Sequence, residues 1–360
     1  MSPAECRYSN VSDLASAYYV PTHYGENMLH DFDVFGCDIG YFRVKAAFRH
    51  SGAIQTMSFP SVAVRVTHAE FTSSETFLGP TGDKVEVDLD GSTYAVETDA
   101  HAIPSSRIVR TETDNFPRTE EYAALVLAAL ASAGARRVQC LVLGLPLQTM
   151  QKHGPYLKTR FAKEHRIGRR DVCKVEQVAV VPQPLGSLAV LRSAGLKPPA
   201  ANMSMCIVDS GWHTCDSIVV GPGGHVDMSR SLGRPGGAAI VIREIARLIA
   251  EETQERIENI DRIDHSLRAK EALWFHGQPI DLEPFFRRAI QVTYPIASAV
   301  LTALGTTEDL SVFGTGGAAG YYSTALSETL GCPVKTLDRS QVANAIGFLL
   351  AGERAIGNRR

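Results

Sequence analysis

Apolar runs separated by glycine turns recur along the chain, and two of them share one pattern. In the first half, residues 34–39 form an apolar run that leads through Asp38 to Gly40, and residues 42–48 follow with alternating apolar positions. Period-two alternation predicts strands, and a glycine between two such runs predicts a hairpin. In the second half, the apolar run 205–208 leads through Asp209-Ser210-Gly211 into a run rich in β-branched residues. The chain therefore carries two Asp-x-Gly hairpins.

Strands alternate with helices after each predicted hairpin. A β-rich insertion at about residues 54–117 interrupts the first half, and a polar stretch, residues 1–33, precedes the first core strand. Periodicity and caps predict further strands at 138–143, 174–181 and 310–313. They predict helices at 119–133, from the turn at 144–147 to about 163, at 182–195, a long one starting at 236, and at 264–273, 283–304, 318–330 and 341–350. Strands alternating with helices favour an α/β architecture.

The Asp-x-Gly turns have the residue types that a nucleotide site requires. A carboxylate can hold a hard cation such as Mg²⁺, and a glycine lets the backbone approach a phosphate closely. One such tripeptide alone is more typical of an ordinary turn. A third glycine-rich turn, which runs from Gly314 to Ala318, leads from a strand into a helix. Three turns of this kind in this order favour a phosphate ligand.

Composition indicates an ordinary globular protein. With 360 residues, 44% of them hydrophobic and 21% charged, the chain is long enough for two globular domains. The formal charge of −3 gives no general attraction to nucleic acid or to anionic membranes, so any link to DNA requires an adaptor. The seven cysteines are scattered without a C-x-x-C pair, which favours a reducing cytoplasm, and no apolar run is long enough to span a membrane.

Taken in order, these motifs resemble the actin-like ATPases, and most closely the ParM (StbA) plasmid-segregation group of bacterial actins, over residues 34–352. The resemblance covers the two Asp-x-Gly phosphate loops, the strand end Gly144-Leu145-Pro146-Leu147, the adenosine loop Gly314-Thr315-Gly316-Gly317-Ala318 and the connecting helix with Ala343-Asn344-Ala345-Ile346-Gly347. It implies the two-domain α/β fold of the actin, heat-shock protein 70 and sugar-kinase superfamily, with nucleotide in the interdomain cleft. The domains expected are residues 34–184 plus 337–360, and residues 185–336, after an extension at 1–33.

The resemblance implies ATP, or GTP, with Mg²⁺ as ligands. Asp38 and Asp209 would face each other and hold Mg²⁺ largely through its waters, and neither needs an unusual pKa. The expected nucleotide contacts are Asp38, Gly40, Tyr41, Lys45, Asp209, Ser210, Gly211, Trp212, Gly236, Gly237, Gly314, Thr315, Gly316, Gly317 and Ala318, with backbone N–H groups of Gly40 and Gly211 at the phosphates. Lys45 either reaches a phosphate or faces solvent. Gly236 and Gly237 either approach the nucleotide or pack a helix start against a strand.

Gln183 is the third catalytic residue expected, beside Asp38 and Asp209. ParM proteins usually carry a glutamate there, whereas eukaryotic actin has a glutamine. An amide can orient an attacking water but is a poor general base. We expect Gln183 to point into the cleft beside Asp209; the alternative is a helix-start glutamine that caps the backbone. Tyr41 and the Trp212-His213 pair replace small residues of the relatives, which changes the fit around the γ-phosphate.

The function implied is an ATP-hydrolysing protein that polymerises into filaments and segregates plasmid DNA through a DNA-binding adaptor of the ParR type. Its partners would be itself and the adaptor, with DNA bound only indirectly and no membrane contact. Two alternatives stay open: a small-molecule kinase for a sugar or acid, and a non-filamentous ATP-binding scaffold. A kinase needs a general base aimed at the acceptor hydroxyl, and the sequence offers no carboxylate beside either phosphate loop that is free of the metal role.

Overall fold

A computed structural model describes residues 29–66, 84–98, 110–168, 171–198 and 200–358. The extension expected at residues 1–33 lies outside this part of the chain except for its last five residues. Within the described residues, no helix combines the length and the apolar character that a membrane crossing requires.

The first half of the chain builds a six-stranded mixed sheet. Its strands, in spatial order, are β3 (Ala53–Pro60), β2 (Arg43–His50), β1 (His30–Ile39), β7 (Ala135–Leu145), β9 (Val172–Pro182) and β8 (Glu164–Arg166). The first three strands are antiparallel, whereas β1, β7 and β9 run parallel to one another. The carboxyl ends of these parallel strands therefore share one edge of the sheet.

The second half builds a five-stranded sheet on the same plan. Its spatial order is β12 (Val226–Pro235), β11 (Thr214–Val220), β10 (Ser204–Ser210), β15 (Leu310–Thr315) and β16 (Val334–Thr336). An antiparallel meander again continues into parallel strands. The two predicted hairpins, β1–β2 and β10–β11, occupy equivalent places in the two sheets.

The hairpin turns are closed by the same bond in both halves. The N–H of Gly40 donates to the carbonyl oxygen of Arg43 over 3.2 Å, and the N–H of Gly211 donates to that of Thr214 over 2.9 Å. In each turn the donor is the glycine of Asp-x-Gly and the acceptor lies three residues later. The repeated sequence pattern thus produces repeated backbone geometry.

Helices and two small sheets complete the described structure. The helices are α1 (Glu120–Ser132), α2 (Met150–Phe161), α3 (Gln183–Ser193), α4 (Ala238–Thr253), α5 (Asp261–Ala269), α6 (Glu283–Ala289), α7 (Tyr294–Leu304), α8 (Ala319–Leu330) and α9 (Ala343–Gly357). The small sheets contain β4 (Ala63–Arg65), β5 (Lys84–Leu89) and β6 (Ser92–Glu97), and β13 (Leu273–Phe275) with β14 (Gln278–Ile280). The predicted cap of α1 is confirmed, because the Thr119 side chain accepts a hydrogen bond from the N–H of Tyr122.

Several predicted boundaries were wrong. Strand β1 begins at His30, and β3 pairs with β2 along its whole length, so the segment up to Pro60 belongs to the main sheet and not to an insertion. The helix expected at 283–304 is divided by a 3-10 turn, since Pro295 at the start of α7 has no N–H to donate. Helix α5 stops at Ala269, where Lys270 takes a left-handed conformation.

Helices α3 and α9 cross with almost no space between their backbones. A Cβ atom added to Gly347 would lie 1.7 Å from the carbonyl oxygen of Gly186, and one added to Gly186 would lie 2.5 Å from that of Asn344. No real contact is that short, so both positions accept only glycine. Helix α3 follows β9 of the first sheet and leads to β10 of the second, and α9 follows β16 of the second sheet. The two helices therefore form the connection between the two halves.

We expect Gly347→Ala to lower the free energy of unfolding by about 3 kcal/mol, the upper end of the usual cost of overpacking, since two backbones must separate. Urea denaturation followed by circular dichroism measures the change. Gly357→Ala in the same helix is the control, because nothing lies within 4 Å of the added atom. Equal stability of the two variants would contradict the close crossing.

Candidate functional site

A cleft with a volume of about 670 Å³ lies between the two halves, and both hairpins line it. Ten of the predicted site residues reach this cleft: Asp38, Gly40, Tyr41, Lys45, Gln183, Asp209, Gly211, Trp212, Gly316 and Gly317. They come from four separate segments of the sequence. The fold therefore assembles most of the predicted site.

Asp38 is held by two donors, one from the neighbouring strand β2 and one from the start of α3. It is almost fully buried, and its carboxylate accepts hydrogen bonds from Nε2 of Gln183 at 2.7 Å and Nζ of Lys45 at 3.2 Å. Lys45 lies directly across the hairpin from Asp38, and its side chain is only 18% exposed. The lysine therefore points into the cleft and not into solvent.

Gln183 reaches the cleft and makes its hydrogen bond to Asp38. It reaches Asp38 because α3 follows β9, which lies in the same sheet as β1, so the first residue of α3 lies at the shared carboxyl edge. Among the described residues, its side chain bonds to Asp38 and not to the start of its own helix. The prediction that Gln183 points into the cleft is confirmed, and its hydrogen-bond partner there is Asp38.

Asp209 is held by an amide from the other crossing helix. Nδ2 of Asn344 in α9 donates to its carboxylate over 2.6 Å. The Asn344 oxygen in turn accepts from both the N–H and the hydroxyl of Ser187 in α3, and that hydroxyl lies 2.8 Å from the hydroxyl of Thr315. All four side chains are buried. Sequence reasoning missed Asn344, although it singled out the segment that carries it.

The glycine turn after β15 packs directly on the second hairpin. Gly316 has a φ of +88°, and an added Cβ would lie 2.3 Å from Oδ1 of Asp209. The N–H of Ala318 donates to the carbonyl oxygen of Ser210 over 2.8 Å. Gly316 is thus required both for its conformation and for the close approach to a carboxylate.

Six predicted site residues lie behind the cleft wall: Ser210, Gly236, Gly237, Gly314, Thr315 and Ala318. A Cβ on Gly237 would lie 2.5 Å from the carbonyl oxygen of Gly211, and the N–H of Ala238 donates to that oxygen over 2.9 Å. Here the start of α4 fixes the hairpin. The structure favours the packing interpretation for Gly236 and Gly237, and a nucleotide contact from these six residues stays a prediction.

The N–H groups that can cradle phosphate are not those expected. The N–H groups of Gly40 and Gly211 are used to close their turns. By contrast, the N–H groups of Tyr41 and Trp212, one residue further on, have no backbone acceptor among the described residues. The hairpin tips thus offer donors for an anion, while the two glycines shape the turns beneath them.

Burial raises the pKa of two carboxyl groups in the second hairpin, those of Asp209 and Asp216. It raises the pKa of Asp209 to about 6, although we expected an ordinary value. Asp216 lies across the hairpin from Asp209, and burial raises its pKa to about 7; it accepts a hydrogen bond from the N–H of Leu147 in the other half. Asp216 was missed because it lies within an apolar strand. We expected no carboxylate beside the Asp-x-Gly turns that is free of the metal role, whereas Asp216 is such a carboxylate.

The donor atoms suit Mg²⁺. Asp38 and Asp209 bring oxygen ligands to one cleft from opposite halves of the chain. In the part of the chain that the structure describes, no three His, Cys, Asp or Glu side chains cluster as a metal cage. Magnesium typically keeps several waters and uses one or two carboxylates together with substrate phosphates. The pair therefore fits a magnesium–nucleotide complex better than a metal held by protein alone.

Comparison with known proteins supports the assignment of the fold. Residues 36–186 match the family model of the N-terminal domain of actin-like proteins. No curated protein matches the chain in sequence.

Solved structures match nearly the whole chain. The ADP complex of an archaeal actin homologue, Ta0583, has a TM-score of 0.70 at 18% identity and covers 91% of this chain and 100% of its own. A ParM filament from Clostridium botulinum has a TM-score of 0.69 at 18% identity and covers 90% and 100%. An AlfA filament bound to AMPPNP has a TM-score of 0.57 at 17% identity and covers 92% and 99%. The predicted two-domain, actin-like α/β fold is thereby confirmed.

We expect Asp216→Asn to stabilise the nucleotide-free protein in a pH-dependent way. An acid whose pKa is raised on folding contributes stability below its unfolded value, near 4, which is lost as the pH rises through about 7. The increase in the free energy of unfolding caused by Asp216→Asn should therefore be absent below pH 4 and reach a few kcal/mol above pH 7.

Urea denaturation across this pH range measures the effect. Asp33→Asn is the control, because this position in β1 is exposed and its charge stays solvated. A gain for Asp216→Asn that did not change with pH would contradict the burial argument.

Proposed function

We propose that this protein binds ATP with Mg²⁺ in the interdomain cleft, hydrolyses it and polymerises into filaments in the nucleotide-bound state. One observation carries the proposal. Asp38 and Asp209 occupy equivalent hairpins, and each is oriented by a side-chain amide from one of the two crossing helices. An arrangement that fixes two carboxylates on either side of one cleft suits a ligand that both halves must hold.

Each group has a role that follows from its position. Asp38 and Asp209 would hold Mg²⁺, which neutralises phosphate charge when bound. The N–H groups at the hairpin tips bind phosphate oxygens, and the Lys45 ammonium adds a positive charge beside Asp38. Because Nε2 of Gln183 donates to Asp38, its amide oxygen is left to accept a hydrogen bond from water. Gln183 can therefore orient a water molecule at the terminal phosphate.

The filament and its cellular role rest on analogy. Two of the similar structures are described as filaments, one of them bound to AMPPNP, and a third is an ADP complex. We extend this to plasmid DNA segregation through a ParR-type adaptor. Sedimentation and electron microscopy with and without ATP test assembly. A protein that stays monomeric with ATP and phosphorylates a sugar or acid would instead be a kinase.

We expect Asp38→Ala and Asp209→Ala each to abolish Mg²⁺-dependent phosphate release while the fold is retained, because each removes a metal ligand from the cleft wall. Phosphate release and circular dichroism measure the two effects. Asp31→Ala is the matched control, since this residue lies in the same strand as Asp38 but pairs with Arg136 at the surface. Parental turnover in both cleft variants would overturn the site.

We expect Gln183→Ala to slow hydrolysis by about 10- to 1,000-fold, the range in which positioning groups act, with little change in nucleotide affinity. Its filaments should form normally and persist, since disassembly would depend on hydrolysis. Phosphate release and light scattering are followed together. A variant with parental phosphate release, or with filaments that decay as fast as the parent's, would refute the assigned role.

A further inference from the structure

The tips of the two Asp-x-Gly hairpins touch each other. The rings of Phe42 and Trp212 stack with a centroid distance of 4.1 Å and an interplanar angle of 15°, and Tyr41 lies against His213 at 4.8 Å. Phe42 belongs to the first half of the chain and Trp212 to the second. Tyr41, Trp212 and His213 are the bulky residues expected to change the fit around the γ-phosphate, and these ring contacts join the two halves at the cleft.

A short segment of the first half reinforces this contact from one side. The guanidinium of Arg110 lies 4.6 Å from the centre of the Phe42 ring, and its two terminal nitrogens donate to both carboxylate oxygens of Asp261 at 2.7 and 2.6 Å. Asp261 is the first residue of α5 in the second half. The Arg110 side chain is only 9% exposed, so this bidentate pair is largely shielded from water.

Glu112, two residues further on, binds the second half at two more points. Its Oε1 accepts a hydrogen bond from the indole nitrogen of Trp212 over 2.7 Å. Its Oε2 pairs with Arg243 of α4 and lies 4.0 Å from Nδ1 of His213. These contacts hold the pKa of Glu112 below its ordinary value against the opposing effect of burial. One carboxylate thus fixes the indole that stacks on Phe42.

The geometry points to an interdomain clasp, made of Phe42, Arg110 and Glu112 from the first half and Trp212, Arg243 and Asp261 from the second, that holds the cleft closed and limits the rate of nucleotide release. None of these residues belongs to the helix crossing or to the Mg²⁺ ligands. Opening the cleft must separate the stacked rings and the Arg110–Asp261 pair together. The effect on release rests on the proposed function, whereas the effect on closure does not.

Closure can be measured without nucleotide. The chain has two tryptophans, so in a Trp274→Phe background Trp212 is the only one. It is 7% exposed in the closed cleft, and acrylamide should quench its fluorescence weakly. We expect Arg110→Ala and Asp261→Ala each to raise the quenching constant severalfold, because an opened cleft exposes the indole.

Arg49→Ala is the matched control. Arg49 makes the same bidentate bond to a carboxylate, that of Glu353, but both residues lie outside the cleft on β2 and α9. Its quenching should equal the parent's. Should either single variant fail to fold, Arg110→Gln combined with Asp261→Asn leaves no buried charge unpaired and gives the same readout.

Nucleotide release is then followed with a fluorescent ADP analogue. Loss of a largely buried, charge-assisted pair should accelerate release by about 10-fold or more, with no change for Arg49→Ala. Unchanged quenching in the clasp variants would overturn the clasp, and raised quenching with parental release would overturn its control of release. If the parent binds no nucleotide, the proposed function fails, and quenching alone decides whether the clasp keeps the cleft closed.

Discussion

The close crossing of α3 and α9 is the constraint on which the rest of the site depends. Gly186 and Gly347 bring the two backbones into contact, and this fixes where the helix starts point. Gln183, at the start of one helix, then reaches Asp38, and Asn344, at the start of the other, reaches Asp209. A side chain at either glycine would push the helices apart and withdraw both amides from the carboxylates. The backbone contact between α3 and α9 therefore supports the geometry of both proposed metal ligands.

The buried carboxylates give the free protein an electrostatic reason to bind a cation. Asp209 and Asp216 lie opposite each other in the second hairpin, and burial favours their neutral forms. A divalent cation beside Asp209 would favour its ionised form instead. A ligand that binds the native state and not the unfolded chain stabilises the native state by linkage. Nucleotide with Mg²⁺ should therefore raise the free energy of unfolding as well as support activity. The ionised form of Asp209, which burial disfavours in the free protein, is the form that Mg²⁺ would bind.

Local sequence predicted the parts of the site that are local. The Asp-x-Gly turns, their strands and the cap at Thr119 follow from patterns within a few residues, and all appear in the structure. The partner of Gln183 depends on the spatial order of β1, β7 and β9, which periodicity does not contain. The N–H groups used to close the turns depend on backbone conformation. Arg110 and Glu112 lie in an irregular segment without periodic pattern, so only the three-dimensional structure reveals their partners.

The two halves are joined in two physically different ways. At the helix crossing, the backbones of α3 and α9 are in contact, and no side chain fits between them at Gly186 or Gly347. At the hairpin tips, the contacts are between side chains, and Arg110, Glu112 and Trp212 can separate and re-form without changes in the backbone. Opening of the cleft therefore requires the loss of side-chain contacts at the hairpin tips, whereas the amide–carboxylate bonds of Asp38 and Asp209 come from the two helices whose backbones touch.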